Sequence, residues 1–203
     1  MPSRWRSRKK HTDTPADLVV VGLGNPGDKF AGSRHNVGAE VVELLAERHG
    51  QNLGKSREAA LVAEIRIDDR RVVLAFPQTF MNKSGESVRA LVRRWSITDQ
   101  LDRLVVIHDE LDLPPGRIKV KDGGGLAGHY GLSSIKSHLR TAEFTRIRIG
   151  VGKPPNPQAG ADYVLKRPGR ADRSLLDDAV ERAADAAMAL LDQPVEIVMN
   201  RFN

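Results

Sequence analysis

The sequence predicts a single α/β domain: a twisted mixed β-sheet flanked by helices. Three observations lead there. Strand-like segments alternate with segments of helical apolar periodicity along most of the chain. Two of the strand patterns are separated only by a short polar turn, which adds a hairpin to a sheet otherwise joined by crossovers. The length of 203 residues suits one domain with its own core, and no internal repeat divides it.

The elements follow in order. Residues 18–21 (LVVV) are a continuous apolar run, as a central buried strand requires. A glycine-rich loop comes next, then a helix over 37–49 whose Val37, Val41, Leu44 and Leu45 form one stripe, with Gly50 placed to end it. Residues 61–67 and 71–76 flank Asp68-Asp69-Arg70 as a hairpin, and Pro77 closes the second strand. A helix over 84–95 buries Val88, Leu91, Val92 and Trp95, with Ser84 as its N-cap. Residues 104–107 are a buried strand that runs directly into His108-Asp109, and 118–120 are short and extended. Three glycines at 123–125 form a loop before a helix over 132–139. Residues 146–151 alternate charged and apolar, so they read as a strand with one polar face or edge. Pro154, Pro155 and Pro157 mark a loop, and an alanine-rich helix over 173–191 closes the pattern.

Composition narrows the function classes. An apolar share of 40% and a charged share of 29% fit a soluble globular protein, and the net charge of +6 favours a polyanionic partner. The absence of cysteine excludes disulfides, thiolate zinc sites and a cysteine nucleophile, and agrees with a cytoplasmic setting. No apolar run approaches the ~20 residues of a membrane span, and the N-terminus lacks the apolar core of a secretory signal. Residues 1–16 (MPSRWRSRKKHTDTPA) are expected to be a basic, disordered tail, with an RNA-contacting arm as the sharper alternative; residues 17–203 form the domain.

Loops at strand ends are the default place for chemistry in such a fold. GLGNPG at 22–27 matches a dinucleotide fingerprint, but the helix pattern starts too late for its N-terminus to meet a pyrophosphate, and no strand ends in an acid ~20 residues on. GQNLGKS at 50–56 has one residue too few between its glycines for a phosphate loop. Asn25 either closes a turn or presents an amide that can both donate and accept. His35 is either a surface residue or a general base, a task its near-neutral pKa suits. Asp109, at the end of a buried strand, is the natural acid to orient that ring. His108, Asp109, Glu110 and Asp112 could alternatively hold a cation, but neither a zinc-protease pattern nor a calcium-loop order is present. Met81 and Asn82 are a gap-filling side chain and an amide suited to peptide groups, or simply core and turn residues. Lys119, Lys121, Arg146, Arg148 and Lys153 cluster around the later strands, either for phosphates or as a solvated face.

From residue 18 to about 199 the chain resembles the bacterial-type peptidyl-tRNA hydrolases. The resemblance rests on VVGLGNPG, SRHNVG, PQTFMNKSG, HDELDLPPG, GGGLAGHYGL and RIRIGVGKP, all in family order. It implies a metal-independent, cofactor-free enzyme of one α/β domain, working as a monomer, that hydrolyses the ester joining a peptide to the 3′ end of a tRNA. By the same resemblance His35 activates water, Asp109 orients it, and Asn25 holds the substrate and stabilises the oxyanion. Asn82 and Met81 bind the peptide, Phe30 stands where the family often has a tyrosine, and His129 contacts substrate. Lys121 and Arg148 clamp the tRNA 5′ phosphate. The chain departs from the family's usual GGGxGGHNGL at two positions. Ala127 replaces a glycine, which matters if a positive φ is required there. Tyr130 replaces a substrate-positioning asparagine, which implies an enzyme of altered rate or selectivity. The alternatives are a non-catalytic RNA-binding paralogue of the same fold, and a hydrolase of some other ester or amide.

Overall fold

The computed structural model describes residues 14–203 apart from Pro155, Pro157 and Gln158. Most of the expected tail therefore lies outside the described residues. Its last residue, Ala16, is fully buried, and its amide donates to the Trp95 carbonyl at 3.0 Å.

Seven strands form one mixed sheet: β1 (Leu18–Gly22), β2 (Gly54–Lys55), β3 (Ala60–Ile67), β4 (Arg70–Pro77), β5 (Leu104–Glu110), β6 (Ile118–Asp122) and β7 (Thr145–Gly150), in the spatial order β2-β3-β4-β1-β5-β7-β6. β1 is central and parallel to both β4 and β5. β5 is parallel to β7, while β3–β4 and β6–β7 are antiparallel. Each of the five β1 residues is buried, as its unbroken apolar run requires.

Alternation along the strands sends side chains to two layers. Val20, Leu74, Val105 and Ile107 meet α1 (Val37–Arg48), α5 (Arg170–Ala189) and α6 (Val195–Phe202) on one face. Val19, Val21, Val73 and Val106 meet α2 (Ser84–Arg94) and α3 (Tyr130–Leu139) on the other. A short helix, α4 (Gly160–Leu165), follows the proline loop. No described helix is long and apolar enough to cross a membrane.

Several expectations shift. Ser84 is not the N-cap of α2: Lys83 holds that position, and the Ser84 hydroxyl instead donates to the Met81 carbonyl at 2.8 Å. β2, α4 and α6 are additions. The near-miss phosphate loop at 50–56 contains β2, an exposed two-residue edge strand. At the opposite edge, the Asn203 carboxamide accepts from the Val120 amide at 2.6 Å and donates to the Val120 carbonyl at 3.1 Å, as a neighbouring strand would.

Two glycines let α1 start directly against the ends of β1 and β5. A Cβ on Gly22 would lie 2.0 Å from the Gly38 carbonyl oxygen, and one on Gly38 would lie 2.3 Å from that of Ile107. Neither obstacle is a flexible side-chain tip, so the helix would have to move. Gly38→Ala is expected to destabilise the fold by about 3 kcal/mol, the upper end for overpacking, read as a fall in the urea midpoint. An unchanged midpoint would show that the approach is looser than these distances.

Candidate active site

The loop after β1 and the single helical turn Arg34–Asn36 lie at the carboxyl end of the sheet. Asn36 ties them together. Its Oδ1 accepts from the Asn25 amide at 2.9 Å, and its Nδ2 donates to the Asn25 carbonyl at 2.9 Å. The backbone of residue 25 is thus bracketed by one side chain. The Asn25 side chain is oriented too: its Oδ1 accepts from the Met81 amide at 2.8 Å. An amide N–H can only donate, so the oxygen is committed, and Nδ2 is the group left for the cleft.

Asp109, at the end of β5, is buried. Its Oδ1 lies 2.7 Å from His35 Nδ1 and 3.0 Å from His129 Nε2. The tautomers follow from the partners. His129 is the N-cap of α3, and its Nδ1 accepts from the amides of Gly131 at 3.1 Å and Leu132 at 3.3 Å. The proton of that ring therefore sits on Nε2 and is donated to Asp109. His35 donates through Nδ1, so its Nε2 is the bare acceptor facing the cleft. Burial disfavours the His35 imidazolium, but the charge and hydrogen bond of Asp109 outweigh it and raise the pKa above the ordinary histidine value. Burial also opposes ionisation of Asp109, yet His35 and His129 together hold its carboxyl well below the usual carboxylate range.

His108 packs edge-on against His129, with ring centroids 4.8 Å apart. Its Nδ1 donates to the Asp109 carbonyl at 2.7 Å. Burial, reinforced by His129, pushes its pKa down to about 3, so it stays neutral.

His35, Asp109 and His129 are also the one described cluster close enough to hold a metal ion. The hydrogen bonding argues against that use. Both ring N–H groups point at the same carboxylate oxygen, and the other His129 nitrogen caps a helix. A cation would have to displace two protons that already satisfy the acid.

A cleft of about 940 Å³ opens over this cluster. Of the site residues that the resemblance implies, Asn25, Phe30, His35, Met81, Asn82, Asp109, His129 and Tyr130 line it. The expected phosphate-binding pair, Lys121 and Arg148, lies outside it on β6 and β7. There the antiparallel register pairs Lys119 with Arg148 and Lys121 with Arg146, placing all four on one face. They are not equivalent. Arg148 forms a double hydrogen bond with Glu110 Oε2, at 2.9 and 2.7 Å, which neutralises much of its charge. Arg146 is only 1% exposed. Its guanidinium donates to the carbonyls of Gly123 and Gly125, so it anchors the glycine loop and is withdrawn from the cationic surface suggested by the sequence. Lys121 lies over that loop, 3.0 Å from where a Gly124 Cβ would stand.

Sequence reasoning missed two parts of the site. Asn36 stood in the RHN triplet, but nothing in the string showed that it brackets Asn25. The α4 wall, which supplies Ala161, Val164 and Leu165 to the cleft, is too short to leave a periodic signal. Arg34 fixes it: its guanidinium stacks 4.2 Å from the Tyr163 ring and pairs with Asp172 at 3.0 Å.

Comparison with known proteins identifies the family. The family model described as Peptidyl-tRNA hydrolase matches residues 19–203. The chain belongs to the peptidyl-tRNA hydrolase family. It is 45% identical to a peptidyl-tRNA hydrolase from Frankia alni over 195 residues, covering 95% of this chain and 98% of the relative. It is 46% identical to one from Moorella thermoacetica over 187 residues, covering 92% and 97%. A crystal structure of the Acinetobacter baumannii peptidyl-tRNA hydrolase superposes with a TM-score of 0.87 at 35% identity, covering 93% of this chain and 96% of that one.

Two outcomes follow from this geometry. With Asp109→Asn the charge that raises the His35 pKa disappears while burial remains. The acidic limb of the kcat/KM profile is then expected to move to lower pH as the plateau falls by about 10²–10⁴-fold; a limb that stays in place would separate His35 from Asp109. Within the glycine loop, Ala127 has φ +49°, the left-handed region that a glycine would adopt without strain. Ala127→Gly is expected to raise stability by up to about 1 kcal/mol, and Ala127→Val to lower it, as read by thermal melting.

Proposed function

We propose that this chain hydrolyses the ester joining the peptide to the 3′-terminal ribose of peptidyl-tRNA, releasing free tRNA and peptide. The observation that carries the mechanism is the bare Nε2 of His35, fixed by Asp109 in the same cleft as the free Nδ2 of Asn25.

A water held against His35 Nε2 attacks the ester carbonyl as its proton passes to the ring. The imidazolium formed is stabilised by the Asp109 carboxylate, which remains ionised. The carbonyl oxygen gains negative charge and accepts from Asn25 Nδ2, a donor whose orientation is set before substrate arrives. Collapse breaks the bond to the ribose oxygen, which takes the proton from His35. The peptide leaves as its carboxylic acid, and His35 returns to its neutral form. No step requires a metal or a cofactor. Met81, Asn82 and Phe30 supply apolar and amide surface for the peptide end, while His129 holds Asp109 and α3 in place.

The net charge of +6 supports attraction of the RNA backbone. Lys121 and Arg148 are the groups proposed to meet its 5′ phosphate, with Arg148 oriented by Glu110. Action as a monomer in the cytoplasm, where translation supplies the substrate, is part of the same proposal.

The test is release of tRNA from an N-acetylated aminoacyl-tRNA. His35→Ala is expected to lose about 10²–10⁴-fold in turnover, with tRNA binding retained. Wild-type protein that binds tRNA but releases none would point instead to the non-catalytic paralogue.

A further inference from the structure

Five large apolar side chains are exposed among the described residues: Phe80, Tyr130, Leu165, Leu175 and Ile197. Three of them, Phe80, Tyr130 and Leu165, line the active-site cleft. Clustering of this kind marks a binding surface rather than scattered surface chemistry. Tyr130 is the most open of the three at 70%, against 58% for Phe80 and 37% for Leu165. Its ring contributes nothing to the core, and its hydroxyl has no hydrogen-bond partner among the described residues. The fold therefore leaves most of this aromatic side chain open to the cleft.

The position of Tyr130 indicates what that face meets. It is the first residue of α3 and follows His129, which is bonded to Asp109. Upstream of His129 the chain leads back through the glycine loop to Lys121, with exposed Lys119 two positions earlier in β6. Tyr130 thus shares the cleft with the reacting centre and directly follows the segment that runs from the cationic β6 to His129. A nucleic acid whose backbone follows the cations brings its unpaired 3′ end to His35 within the cleft that this ring lines. The peptide end is served by a different segment, the turn after β4 that carries Met81 and Asn82.

We propose that Tyr130 is a specificity-determining residue that stacks on an unpaired base of the 3′ end of the tRNA. Stacking suits the position because every base has a π-face, so the contact selects single-stranded nucleic acid without reading its sequence. The proposal rests on the peptidyl-tRNA hydrolase reading above and adds the part of the substrate that this residue recognises.

The experiment uses an uncharged acceptor-stem RNA hairpin carrying 2-aminopurine in its unpaired 3′ tail, titrated with the full-length chain. Wild type and Tyr130→Phe are expected to quench the fluorophore and bind alike. Tyr130→Ala is expected to lose the quenching and weaken binding about tenfold, the scale of one base stack. His35→Ala should quench like wild type, which separates stacking from hydrolysis. In parallel, the KM of Tyr130→Ala should rise equally for N-acetylglycyl-tRNA and N-acetylphenylalanyl-tRNA. Equal quenching by wild type and Tyr130→Ala would overturn the proposal, as would a KM rise confined to the phenylalanyl ester, which would assign the ring to the peptide. If wild type turns over both esters while either of these results is obtained, the stacking assignment fails alone. If wild type turns over neither, the hydrolase reading fails with it.

Discussion

The site depends on one oxygen atom. Oδ1 of Asp109 receives N–H groups from two histidines, and each of those rings has its second nitrogen committed differently. In His129 it caps a helix; in His35 it is left for water. The shared acceptor therefore fixes two tautomers at once, holds the N-terminus of α3 against the end of β5, and raises the basicity of the single nitrogen that faces substrate. The carboxylate can do this because burial keeps water from competing for it while two ring N–H groups offset the cost of desolvation. His108 supports it from beneath through the Asp109 carbonyl and the face of His129.

The scaffold around that oxygen works by restricting choices. Parallel pairing of β1 with β5 brings the loop bearing Asn25 beside the strand bearing Asp109, and the glycine contact between β1 and α1 lets His35 approach both. Asn36 then removes the freedom of the Asn25 backbone, and the Met81 amide removes that of its side chain. Preorganisation of this kind matters most for a neutral donor, whose catalytic value lies in already pointing at the place where charge develops.

Much of this was legible in the sequence, for identifiable reasons. The central strand announced itself as an unbroken apolar run, and α1 as a stripe, because burial imposes those periods directly. Asn25 and Asp109 were visible because each lies in a short motif at a strand end, and His35 because its motif directly precedes α1. What stayed hidden depended on contacts between distant residues. Arg146 and Arg148 alternate with apolar neighbours in the string and look alike, yet one is sealed under the glycine loop and the other is paired with Glu110. Ser84 has the chemistry of an N-cap, but the preceding 3₁₀ turn shifts the helix start and turns its hydroxyl back on Met81. The helices α4 and α6, of six and eight residues, are too brief for periodicity to separate them from loop.

The Asn203 carboxamide at β6 has a consequence beyond the single chain. An open sheet offers its edges to other molecules, and two copies that pair edge to edge begin an aggregate. Here the amide and carbonyl of Val120, the middle outward-facing pair of one edge strand, are already occupied by a side chain that imitates a neighbour. The opposite edge, β2, is only two residues long and carries a lysine. Both edges thus offer a second copy little free backbone to pair with, and the sheet is hindered from lengthening in either direction.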